Sequence, residues 1–252
     1  MKKLLCAILT LCILCAFAAC GKESKVTIYI PETMTMTSPT GEVGVVKYIF
    51  EEGWESKESF SVNLQIDGIS DMEDVSVAKM SYSNRTVVME QTGILRTTTT
   101  HNEKGQVVSN TNELTNDGTL MQRTEITYTY DARGRKLTEE SKVQRKDLDT
   151  PVVTTVTYTY TDTATGSEGR SESGSTVVVL TYDQNDRLIC TTNTLRGEEV
   201  SRVENTYDEA GNLICSKTYS MGELISTQET TYRTVEVSKA TADRLPNFKR
   251  GK

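Results

Sequence analysis

A block of sequence recurs 25 residues apart, and that recurrence restricts the fold more than any other feature of the chain. Tyr182-Asp183-Gln184-Asn185-Asp186-Arg187-Leu188-Ile189-Cys190 precedes Tyr207-Asp208-Glu209-Ala210-Gly211-Asn212-Leu213-Ile214-Cys215 by 25 residues without a gap. The second halves keep the same spacing, Gly197-Glu198-Glu199 against Gly222-Glu223-Leu224. Tyr130-Asp131-Ala132-Arg133-Gly134-Arg135 is a third copy. A period between 20 and 50 residues signals one supersecondary unit used repeatedly, each copy burying the face of the next.

The unit reads as β-structure. Val152, Val156, Tyr158 and Tyr160 alternate with Val153, Thr155, Thr157 and Thr159. Ile126, Tyr128 and Tyr130 alternate with Thr127 and Thr129, and Val46, Tyr48 and Phe50 flank Lys47. Period-two alternation of Val, Thr and Tyr marks strands with one sheltered and one wet face.

Two kinds of turn separate the strands. In the Tyr-Asp turns, Asp131, Asp183 and Asp208 are placed to accept backbone N–H bonds, and Gly134 and Gly211 to supply positive φ. Within each unit lies a tighter turn, at Asn116-Asp117-Gly118, Arg196-Gly197-Glu198 and Met221-Gly222-Glu223. The expected fold is all-β: an antiparallel hairpin meander, open or partly curled into a twisted sheet, with no substantial helix after the N-terminal segment. Weaker copies at Phe50 and His101 extend the array toward the N-terminus.

These Tyr-Asp-x-x-Gly units resemble the YD repeats of the RHS family. In large members the repeats spiral into a shell around a toxin domain, for which this chain is too short. The closer resemblance is to small bacterial lipoproteins that carry a few such repeats, which implies a shape and a location but no activity.

The N-terminus agrees with export. Met1-Lys2-Lys3 is basic, Leu4 to Ala19 is apolar apart from Thr10, and Phe17-Ala18-Ala19-Cys20 resembles a lipobox. The resemblance implies cleavage before Cys20 and acylation of its thiol, and two acyl chains suffice for stable anchoring. The expected organisation is a signal peptide over 1–19, a tether over 20–25, a β-repeat domain over 26–237 and a basic tail over 238–252. The expected location is the extracytoplasmic face of a bacterial membrane. Taking Lys2 and Lys3 from the formal charge of −7 leaves −9, which argues against nucleic acid as a partner.

Few residues suggest chemistry. His101 is the only histidine and takes the tyrosine place of a weak repeat. No His/Cys group has metal-ligand spacing, and no cofactor is expected. Cys190 and Cys215 fall at equivalent strands about 9.6 Å apart, too far for a disulfide, and read as free, small buried side chains. Phe50, Tyr130, Tyr160, Tyr182, Tyr207 and Tyr232 end successive strands on one face and form an aromatic ladder. That ladder is either the core or a platform for a glycan or surface protein. The expected function is a non-enzymatic, lipid-anchored binding or structural module. The alternatives are a lipid or lipoprotein carrier with an apolar concave sheet, and an enzyme acting on wall glycan. Lys239, Arg244, Lys249, Arg250 and Lys252 face only Asp243 at the end of the chain, which reads as a solvated tail or as a contact for anionic lipid head groups or wall polymer.

Overall fold

The computed structural model describes residues 24–68, 79–91 and 94–251. Cys20 and the N-terminal segment lie outside them. The described residues form one antiparallel sheet of 17 strands and one short helix, α1 (Lys239–Arg244). The first strands are β1 (Lys25–Thr37), β2 (Val43–Phe50), β3 (Ser59–Asp67), β4 (Lys79–Ser83), β5 (Thr86–Gln91) and β6 (Leu95–His101). There follow β7 (Val107–Asn116), β8 (Thr119–Tyr130), β9 (Lys136–Arg145), β10 (Val152–Thr157), β11 (Thr159–Thr163) and β12 (Gly166–Ser173). The last are β13 (Thr176–Asp183), β14 (Leu188–Leu195), β15 (Glu198–Tyr207), β16 (Leu213–Ser220) and β17 (Glu223–Ser238).

Neighbours in sequence pair in turn, and β17 then returns to pair with β1 from Lys25↔Ser238 to Thr37↔Thr227. The sheet is therefore a nearly closed barrel, which corrects the expectation of an open meander. Strands β10 and β11 are two halves of one strand interrupted at Tyr158, since β10 pairs back to β9 and β11 forward to β12. That joint solves a parity problem, because an odd number of alternating strands cannot close antiparallel. Closure has a physical cause that single hairpins do not carry. Twisted open sheets of more than about ten strands curl, and pairing the two edges satisfies both rows of orphan backbone groups.

The two faces of the wall differ. In β8, Thr124, Ile126, Tyr128 and Tyr130 are half-buried, while Arg123, Thr127 and Thr129 are exposed. The sheltered face is the interior. There Phe60 lies opposite Tyr82 and Tyr82 opposite Val87, while Leu180 lies opposite Gly169 and Gly169 opposite Tyr160. Further along the inner wall stand half-buried polar residues: Thr97 Oγ1 donates to Asn112 Oδ1 (2.8 Å), and Asn110 Nδ2 donates to Thr99 Oγ1 (2.9 Å). Outside, ion pairs cross the strands: Arg123 bonds Glu125 (2.8 Å) and reaches Glu113 (3.6 Å), while Lys142 approaches Glu125 (3.9 Å).

The C-terminal residues are a plug rather than a solvated tail. Ser238 caps α1, its Oγ accepting from the Thr241 N–H at 3.1 Å. Ala242, Leu245 and Phe248 are buried in the main core with Ile28, Ile30 and Trp54. Beyond them the chain adds a short rung to β1: Tyr29 N–H donates to Lys249 O and Gly251 N–H to Thr27 O, both at 2.8 Å. The basic side chains had concealed this apolar triad, whose members sit three residues apart.

Candidate functional site

The hairpin connections fall at two ends of the barrel, and the ends are built differently. At the first, which holds the start of β1 and the end of β17, the Tyr-Asp turns share one geometry. Asp131 Oδ1 accepts from the Arg135 N–H at 2.9 Å and Gly134 N–H donates to Asp131 O at 3.0 Å. Asp183 and Asp208 repeat the bond through Arg187 N–H (2.9 Å) and Asn212 N–H (2.8 Å). Gly134 and Gly211 hold φ of 90° and 88°, and Asp186 takes the same place at 57°. Burial works against charge on all three aspartates, but the backbone and side-chain donors of each turn outweigh it and hold the carboxyls below their usual range. At Gly211 nothing lies within 4 Å of an added Cβ, so a side chain there meets only backbone strain. Gly211→Val is expected to cost about 1–2 kcal/mol, read by denaturant unfolding, with hydrogen exchange rising first in the β15–β16 hairpin.

The aromatic ladder serves these turns. Tyr130 Oη donates to Val107 O (2.6 Å), Tyr160 Oη to Lys136 O (2.5 Å), Tyr207 Oη to Leu188 O (2.9 Å) and Tyr232 Oη to Leu213 O (3.0 Å). Each acceptor is the first residue of the strand that leaves a turn at this end. His101 makes the equivalent contact, Nδ1 to Arg85 O at 3.2 Å, just ahead of β5. Burial lowers its pKa, against the smaller opposing effect of the Arg85 carbonyl. Sequence reading placed His101 at a tyrosine position but had no means of seeing the bond that the two side chains share. Tyr182 packs edge-on to Tyr160 at 5.9 Å, while Phe50 stands with Trp54 (5.1 Å) and Phe60 (6.1 Å). Phe50 and the Tyr160–Tyr182 pair thus belong to two separate interior clusters, and four of the ladder's hydroxyls are consumed by backbone carbonyls.

Successive turns are tied to one another. Gln106 Nε2 donates to Gly134 O (2.9 Å), Arg133 bonds Asp162 (2.7 Å) and Asp186 (2.9 Å), and Arg187 reaches Asp208 O (3.2 Å). The plug crosses the remaining gap. Arg244 O accepts from the Arg85 N–H at 3.1 Å, and a side chain at Gly105 would run into the Pro246 carbonyl. Among the described residues, two clefts lie beside it. One of about 180 Å³ lies among Tyr29, Tyr207, Tyr232 and Phe248, small for a ligand site. The other, of about 420 Å³, is a groove between α1 and the 3-10 turn Trp54–Ser56, edged by the exposed Lys25–Glu236 pair.

The opposite end carries two-residue turns with positive φ at both positions: Asp117 and Gly118 (48° and 74°), Arg196 and Gly197 (56° and 88°), Met221 and Gly222 (50° and 84°). The hydrogen bonds of these turns join neighbouring hairpins, and among the described residues nothing crosses this mouth. Cys190 and Cys215 are free and half-buried, on strands separated by β15. Among the described residues no group of His, Cys, Asp and Glu is arranged to hold a metal ion. Inside the barrel Lys136 bonds Glu139 (2.9 Å) and lies over the Tyr128 ring (4.6 Å).

No protein-family model and no curated protein matches the chain. Among solved structures it is similar to a porin-like protein from Bacteroides uniformis, at 10% identity and a TM-score of 0.42, over 82% of this chain and 97% of that one. The barrel is established by the chain's own strand pairing rather than by that likeness. These findings correct the resemblance to YD repeats: the recurrent Tyr-Asp steps are the closed-end turns of a barrel, not units of an open spiral.

Proposed function

We propose that this chain is a non-enzymatic barrel of the cell envelope, surrounded by water, tethered to a membrane through a lipid on Cys20, and acting as a binding or structural module. The observation that carries this reading is the outer wall. A barrel that spans a bilayer needs an outward apolar band about 25 Å tall. This wall instead presents Thr127, Thr129, Thr155 and Thr157 between rows of charge at Arg96, Arg123, Lys142 and Arg170. Such a wall has no lipid to face, so membrane attachment falls to the apolar segment that ends at Cys20.

The half-buried Thr and Asn band inside the barrel supports a hydrated interior and speaks against a carrier with an apolar concavity. A glycan or surface protein is the ligand class that fits an exposed, water-filled module of this kind. The test is fractionation of cells that make the parent chain or Cys20→Ser. The parent is expected with the membranes and the variant in the soluble fraction, with unchanged thermal unfolding. A variant that stays with the membranes, resisting carbonate extraction as an integral barrel does, would overturn the reading.

A further inference from the structure

Thirteen of the fourteen large hydrophobic side chains that stand exposed among the described residues lie on the hairpins of the end opposite the plug. Six hairpins contribute, represented by Met36, Ile94, Leu120, Leu148, Leu195 and Met221. Their exposure runs from 36% at Leu148 to 72% at Met221. The fourteenth, Ile49, is near the other end of β2. Scattered exposed leucines need no explanation, but a collar confined to one rim does.

Met221 sharpens the point. It holds φ 50° at the first position of a tight turn, where Asn, Asp or Gly is the low-strain choice. A flexible apolar side chain is therefore kept in a strained position with almost nothing packed on it.

We infer that this rim docks on a neutral lipid surface, its aliphatic tips entering the interface. Apolar tips from six hairpins gathered at one end suit a flat partner. Two flat partners fit, a bilayer or the rim of a second copy. Charge separates them, because the same turns carry Glu42, Asp117, Asp147, Asp149, Glu198 and Glu223 against Arg145, Lys146 and Arg196. Two such rims repel each other, as does an anionic bilayer, whereas a zwitterionic surface does not.

The position of the rim adds a consequence that rests on the proposed anchor. Residue 25 enters the barrel at the plugged end, and the 13 residues of β1 lead to the rim. At about 3.3 Å per residue the strand spans about 40 Å, or about 30 Å of height once tilted. The tether from Cys20 reaches only about 17 Å. A lipidated chain thus holds one membrane by Cys20 and a second lipid surface by its rim.

The described strands begin at Lys25, so the lipid-free chain beginning at residue 21 is floated with phosphatidylcholine vesicles. It is expected to rise with them, at low and high salt alike. The triple variant Met221→Ser, Leu224→Ser, Ile225→Ser, checked for an unchanged melting curve, is expected to partition at least roughly tenfold less. A lipid-free chain that stays at the bottom of the gradient overturns the inference. So does one that forms a dimer dependent on the same three residues, which would assign the rim to a second copy. Lipidated parent chain in vesicles is expected to cluster a second vesicle population, and its triple variant to remain attached without clustering. Flotation of the lipid-free chain without clustering by the lipidated one would leave the rim standing and remove the anchor geometry.

Discussion

Phe248→Ala is expected to destabilise the barrel by about 3 kcal/mol, the scale of a large buried side chain lost to a cavity. Phe248 is 7% exposed, lies 5.5 Å from the Tyr82 ring and belongs to the same core as Ile28, Ile30 and Trp54. Tyr82 in turn stacks on Phe60 at 4.8 Å, so the cavity would open in the middle of an aromatic row. Denaturant unfolding gives the magnitude and hydrogen exchange the location. Protection should fall around Arg85, Gly105 and Asn212, where the plug meets the turns, and persist in the hairpins of the opposite rim. A loss below about 1 kcal/mol would mean that the C-terminal residues rest on the barrel without supporting it.

Alkaline unfolding is the second large effect. Burial, assisted by the neighbouring Tyr128, Tyr182 and Glu139, pushes Tyr130 up to about 12. Burial does the same to Tyr158, with Glu139 beside it, again to about 12. Tyr48, Tyr82, Tyr128, Tyr160, Tyr207 and Tyr232 are all shifted upward, burial being the leading cause in each. A folded pKa above the unfolded value of 10 favours the protonated, folded state. The stability it contributes is complete below pH 10 and is lost as pH rises through the folded values. Phenolate absorbance and circular dichroism should therefore change together, in one steep transition between pH 10 and about 12. Ionisation of Tyr130, Tyr160, Tyr207 and Tyr232 near pH 10 while the dichroism stays intact would contradict their interior position.

Local structure is legible in this chain and closure is not. The alternation of Val156, Tyr158 and Tyr160 with Thr155, Thr157 and Thr159 marks a two-faced strand, and Asp117-Gly118 marks a tight turn. Both signals are identical in an open meander and in a ring. What distinguishes them is the pairing of Lys25 with Ser238 and of Thr37 with Thr227, residues from opposite ends of the chain that carry no complementary motif. The ladder shows the same boundary. Period-two reading puts Tyr130, Tyr207 and Tyr232 on one face, but their hydroxyl partners Val107, Leu188 and Leu213 are backbone carbonyls, which no side-chain pattern reports. At the C-terminus the signal was present but outweighed: Ala242, Leu245 and Phe248 recur every third residue among charges that suggested solvent. The rim lies beyond sequence reading for another reason. Met221 looks like any strand-end methionine until its turn and its exposure are known.

Closure is the claim on which the rest depends, and a cysteine pair tests it directly. Thr35 in β1 lies opposite Glu229 in β17. In a chain with Cys190 and Cys215 replaced by serine, Thr35→Cys and Glu229→Cys should oxidise to an intramolecular disulfide, because paired antiparallel Cα atoms fall within the roughly 7 Å that the bond requires. Peptide mapping should find residue 35 linked to residue 229 in the monomer, with the native melting temperature retained or raised. In an open sheet the same two strands stand about 70 Å apart at about 4.8 Å per strand, and both thiols would remain free and reactive.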